Sequence, residues 1–216
     1  MALVEKNPDG AFDKALAWQG LGGGEAAEHC LAAALLGLRQ YAEAARRLER
    51  LVLQSREGDS IRVGLLAQAA RAWLLADDPA RSYDVLTAAI KLNPDDPELL
   101  IDRAEARAAM KHYREAVDDL DNAVRLDPGR AEAYVFRATA YRFLDDLVRA
   151  EADAERALRL DPQHPEGLLE RGILRRLKGD TAGARKDWLA VLHTAPGTAA
   201  AESAQRNIEI MDVKSP

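Results

Sequence analysis

An all-α fold is predicted by this 216-residue sequence: a right-handed α-solenoid of stacked helix-turn-helix units, closed by a C-terminal capping helix. Three observations predict it. Pro128, Pro162 and Pro196 follow Pro94 at intervals of 34 residues. The same pattern of two short amphipathic helices fills each interval, and small residues return at fixed places within it. A unit of this size cannot bury its own apolar face, so successive units must stack.

With each unit numbered so that its closing proline falls at position 32, the third, fourth and fifth begin at Pro97, Ala131 and Pro165. Position 8 is then Ala104, Ala138 and Gly172, and position 20 is Ala116, Ala150 and Ala184. Small residues at these two places let the helices of one hairpin cross closely. Larger apolar residues take position 4 (Leu100, Tyr134, Leu168), and position 27 is Ala123, Ala157 and Val191.

In chain order, residues 1–24 read as an N-terminal helix or partial repeat, with Ala11, Ala15 and Trp18 as its stripe and Gly22-Gly23-Gly24 as its stop. Residues 25–58 form a first repeat, with Ala32, Tyr41, Ala44 and Leu48 in register but no closing proline. Asp59 to Arg62 are an extra turn or a loop. Residues 63–96 form the second repeat, where Pro79 opens helix B, a place that tolerates proline because its missing N–H would have no partner. Repeats 97–130, 131–164 and 165–198 follow. Residues 199–213 carry Ala204, Ile208 and Met211 on one face, and Thr198 stands as N-cap of a helix that covers the last repeat.

The strings "HYREAVDDLDNAVRLDP" and "LVRAEADAERALRLDP", with the period and the small residues, resemble the second helix and closing turn of the tetratricopeptide repeat family. The consensus aromatic at position 11 persists only as Trp73 and Tyr141, and Arg107 and Arg175 replace it elsewhere. The resemblance implies that helix A lines a concave groove and that positions 2, 5, 9, 12 and 13 reach a ligand. Carried over, the groove holds Ala67, Arg71, Leu74 and Leu75; Ile101, Glu105, Ala108 and Ala109; Val135, Thr139, Arg142 and Phe143; and Leu169, Ile173, Arg176 and Leu177. Arg142 and Arg176 are the expected anchors, since Arg and aromatic residues dominate binding energy at such surfaces. Packing between repeats is the alternative reading for Phe143 and the leucines, and it stands nearly level with the groove reading for Leu75 and Leu177. The family's carboxylate clamp for chaperone tails needs Lys and Asn at positions where this chain has pairs such as Ala67 and Arg71, or Ile101 and Glu105. That clamp is absent.

Composition narrows the class further. An apolar fraction of 48% with 31% charged residues suits a folded chain. The net charge of −6 comes without a basic stripe, which disfavours nucleic acid. The longest apolar run, Cys30 to Leu38, is too short to span a bilayer. Glu5, Pro8 and Asp9 are wrong for a secretory signal. The expected compartment is cytoplasmic, or periplasmic if a signal has been removed ahead of Met1.

No catalytic constellation stands out. His29, His112, His164 and His193 are dispersed, without metal-ligand spacing, and no cofactor is expected. Cys30, the single cysteine, reads as a buried inert thiol. The Gly22 to Gly24 run ahead of a helix is a poor anion site without a preceding strand or lysine. Arg103, Arg137 and Arg171 at position 7 face Asp119, Asp153 and Asp187 at position 23, a pattern read as an ion pair within each hairpin in preference to an arginine ladder. Glu98, Glu132 and Glu166 favour the first turn of helix A through the helix dipole. The expected function is a non-enzymatic interaction module or scaffold that binds a peptide or protein segment in the groove. The alternative is a structural protein that forms homo-oligomers through its N-terminal segment or terminal helices.

Overall fold

The structure, a computed structural model, describes residues 6–55 and 57–213. Residues 1–5, part of the stretch read against a secretory signal, lie outside it. Among the described residues the secondary structure is helical: α1 (Pro8–Gly20), α2 (Gly24–Gly37), α3 (Tyr41–Gln54), α4 (Asp59–Leu75), α5 (Pro79–Leu92), α6 (Pro97–Ala109), α7 (Tyr113–Leu126), α8 (Ala131–Phe143), α9 (Leu147–Leu160), α10 (Pro165–Leu177), α11 (Thr181–Thr194) and α12 (Ala199–Val213). The even-numbered helices α2 to α10 are helices A of the five repeats, and the odd-numbered α3 to α11 are helices B.

Local chemistry sets these boundaries. Asp78, Asp146 and Asp180 each accept a hydrogen bond from the amide three residues on, at 3.1, 3.1 and 2.8 Å, capping α5, α9 and α11. Proline occupies the first turn of α5, α6 and α10. Each A–B turn then closes through a residue with positive φ: Arg39, Asp77, Lys111, Asp145 and Gly179. The last four of these are 34 residues apart, and Arg39 precedes Asp77 by 38. Asp59 to Arg62 account for the excess: they form an added turn of α4, which runs to 17 residues. Around four of these turns the next amide reaches back to the helix end (Gln40 to Leu35, Asp78 to Trp73, Asp146 to Tyr141, Asp180 to Arg175) at 2.9 to 3.0 Å.

The chain divides into two compact units, Met1–Lys111 and His112–Pro216. In the first, consecutive helices pack from α1 to α6, and α4 also touches α6. Leu48, Trp73, Leu86 and Leu99 centre its core, with Ala32, Ala69, Ala70 and Ala89 at the close crossings. Helix α1 packs on α2 of the same chain. Ala11 and Ala15 are buried, and Trp18 lies so close to Gly23 that a side chain there would collide with the indole.

In the second unit, α7 to α12 pack in sequence, and helix A meets helix A between α8 and α10. Ala116, Ala138, Ala150 and Ala184 are essentially inaccessible. Gly172 is required for a specific reason: Trp188 fills the space its side chain would take, and the indole Nε1 donates to the Leu169 carbonyl at 3.3 Å. Helix α12 lays Ala200, Ala201, Ala204, Ile208 and Met211 over Trp188, Val191 and Leu168. The Thr198 hydroxyl caps it, accepting from the Ala201 amide at 3.2 Å.

Candidate functional site

The Arg–Asp pairs of the fourth and fifth repeats are formed within their hairpins. Arg137 grips Asp153 with two bonds, at 2.7 and 2.8 Å, and Arg171 grips Asp187 at 2.9 and 2.7 Å. These bonds hold both guanidinium groups firmly protonated, and their acidity falls despite burial. Arg103 and Asp119, the third predicted pair, belong to different units. Position 11 explains the missing aromatics in part. In the fifth repeat Arg175 bonds Asp187 at 2.8 Å, so one buried carboxylate serves two cations. Where the aromatic persists, an arginine stacks on it: Arg81 lies 4.7 Å from the Trp73 ring and Arg149 lies 4.3 Å from Tyr141. Burial, followed by the charge of Asp121, pushes the Tyr141 phenol up.

The predicted groove residues fall into three environments. Ile101 and Val135 are core residues, 1% and 5% exposed, and Leu74, Leu169 and Ile173 are half-buried against the cores of their units. Glu105 and Thr139 are half-buried. Arg142 is expected from sequence to be an open anchor, but the structure commits it elsewhere. Its Nε donates to Glu170 Oε1 at 2.5 Å, and Glu170 is only 4% exposed. The partner lies 28 residues on, in the next helix A, where only the packing of successive repeats brings it near. A matched charge at position 12 of one repeat and position 6 of the next is the signal that would have found it.

Phe143, Leu75 and Leu177 remain outward, 53%, 55% and 58% exposed. All three occupy position 13, in the last turn of helix A. Arg71 and Arg176 have no hydrogen-bond or ion-pair partner among the described residues, and Arg71 is exposed. Cys30 is exposed as well, contrary to the buried thiol expected from its Ala- and Leu-rich helix. It lies at the edge of the stripe formed by Ala27, Leu31, Ala34 and Leu35. His29 bonds Gln68 at 2.9 Å across to α4. Among the described residues no group of His, Cys, Asp or Glu is placed to hold a metal ion, and no helix is long and apolar enough to cross a membrane.

The profile of the family described as Tetratricopeptide repeat matches residues 131–164, which are α8, α9 and their turns. Residues 131–164 are thus a tetratricopeptide repeat. The chain's helical-repeat fold is similar to that of TTC0263, a thermophilic TPR protein of Thermus thermophilus, with 20% identity and a TM-score of 0.70 over 87% of this chain and 98% of that one. It is also similar to MamA residues 41-end from Desulfovibrio magneticus RS-1, with 20% identity and a TM-score of 0.63 over 87% and 98% of the two chains. The first TPR domain of Spaghetti (RPAP3), solved with the HSP90 peptide SRMEEVD, is 26% identical with a TM-score of 0.53, over 58% of this repeat protein and 99% of that domain. Among curated proteins there is no significant sequence match.

Proposed function

We propose that this repeat protein is a non-enzymatic interaction module that binds a peptide or protein segment on its helix-A faces. The recurrence of exposed Leu75, Phe143 and Leu177 at one repeat position carries the reading. Single exposed apolar residues are ordinary, but the same repeat position is apolar and exposed in the second, fourth and fifth repeats, with Ala109 in the third. Peptide recognition by the TPR domain of Spaghetti (RPAP3) supports the same reading. The ligand differs from the chaperone tail, because Ala67, Arg71, Ile101 and Glu105 stand where a carboxylate clamp needs Lys and Asn. Leu75→Ser/Arg176→Glu/Leu177→Ser alters only exposed or unpaired side chains, so it preserves the helical circular dichroism. Quantitative pull-down from source lysate should lose specific partners with this variant. Equal recovery from both proteins would count against helix A.

Self-assembly through the N-terminal segment is a weaker reading. Helix α1 packs on α2 of its own chain, which occupies the face an exchanged helix would use.

A further inference from the structure

One pair of repeat positions is closed in the second unit and open in the first. Position 17 of one repeat and position 13 of the next are Tyr113 and Phe143 in the unit from His112 to Pro216. Their rings stack 4.6 Å apart and 4° from parallel, and the Arg142 guanidinium lies 4.5 Å from the Phe143 ring centre. In the unit from Met1 to Lys111 the same positions are Tyr41 and Leu75. Among the described residues no ring stacks on Tyr41 there. A cleft of about 340 Å3 opens instead, lined by Leu36, Tyr41, Gln68, Arg71, Ala72 and Leu75.

The cleft has a definite charge. None of its lining residues is acidic, and Arg71 has no hydrogen-bond or ion-pair partner among the described residues. Arg39, in the turn that joins Leu36 to Tyr41, is exposed and equally unpaired among them. The Gln68 amide is already engaged by His29. An unpaired cation beside an unfilled aromatic wall is complementary to a ring with a neighbouring carboxylate.

We propose that this cleft takes an aromatic side chain from a peptide segment of a partner protein, with a carboxylate beside it. The ring lies against Tyr41, as Phe143 lies against Tyr113, and the carboxylate lies on Arg71. The assignment rests on the interaction-module reading above and deepens it by naming the chemistry of the segment.

Titration of the full 15N-labelled chain with the peptide Ac-SDFEG-NH2 tests it. Amide shifts should gather at Leu36, Tyr41, Arg71 and Leu75. Replacing the peptide's Phe by Ala, or its two acids by Asn and Gln, should weaken binding at least tenfold. Leu75→Phe supplies the missing ring from within and should abolish the shifts, and Arg71→Glu should do the same, both with unchanged circular dichroism. Equal affinity for the control peptides, or no shifts at millimolar peptide, would overturn the assignment. Shifts gathered on α8 and α10 would overturn it while leaving the interaction-module reading standing. Concentration-dependent shifts at the cleft without peptide would also overturn it, by making a second copy the occupant.

Discussion

Arg142 and Glu170 form a two-point ion pair between the fourth and fifth helices A, with Nε to Oε1 at 2.5 Å and Nη2 to Oε2 at 3.1 Å. The carboxylate is nearly inaccessible, so its charge depends on this one guanidinium for compensation. Arg142→Ala should therefore cost about 3–5 kcal/mol in urea unfolding. Arg142→Leu/Glu170→Leu should recover most of that loss, since replacing both charges by apolar groups leaves nothing unpaired. A cost below about 0.5 kcal/mol for the single variant, the range of ordinary surface changes, would show that Glu170 finds other solvation.

Four of the five A–B turns place a non-glycine residue at positive φ, a conformation that costs L-residues roughly 1–2 kcal/mol each. Arg39→Gly should raise the melting temperature by about 2–4 °C, corresponding to about 1 kcal/mol in a chain of this size. Gly179→Ala should lower it by a similar amount, because nothing but backbone conformation opposes the methyl group there. No change in either variant would mean that these turns differ from the geometry described.

The cap of α9 gives the fold a pH dependence. The hydrogen bonds from Arg149 hold the Asp146 carboxyl below the usual carboxylate range. Its contribution is thus fully present above the unfolded value, about 4, and is lost as pH falls through the lower folded value. Native protein should lose more stability between pH 7 and pH 3 than Asp146→Asn does. Identical acid profiles would remove Asp146 from the account. The α3 helix lacks a side-chain cap at Gln40, so Gln40→Asp should add about 1 kcal/mol there.

Ala150 is inaccessible, between the helices of the fourth hairpin. Ala150→Leu should cost roughly 1–3 kcal/mol through overpacking, read as a lower urea midpoint. Removing residues 199–216 should uncover Trp188 and Val191 and drive aggregation, visible by light scattering. A soluble, stable truncated monomer would mean that α12 is no cap.

Much of the fold was legible because its determinants are local and periodic. Ala138 and Ala150 announce a close crossing by their size, and the interval between Pro128 and Pro162 sets the unit. The turns were not legible, since Arg39 and Lys111 adopt a glycine-like φ that nothing in their chemistry advertises. Asp59 to Arg62 fit a loop or a helix equally by composition, and packing of the long α4 on α3 and α5 selects helix. The site was harder. Ile101, Val135 and Leu177 are alike in sequence, yet burial separates the first two from the third. Arg142 differs from Arg176 only through Glu170, a partner supplied by the neighbouring repeat.

Photocrosslinking tests the central claim most directly. A benzophenone amino acid placed at Leu75 or Leu177, on helices A, would be compared in source cells with one at Leu53 or Val148, which are more exposed but lie on helices B. The account predicts the same partner adducts from both helix-A positions and none from the helix-B controls. Adducts confined to Leu53 and Val148, or equal at all four positions, would contradict it.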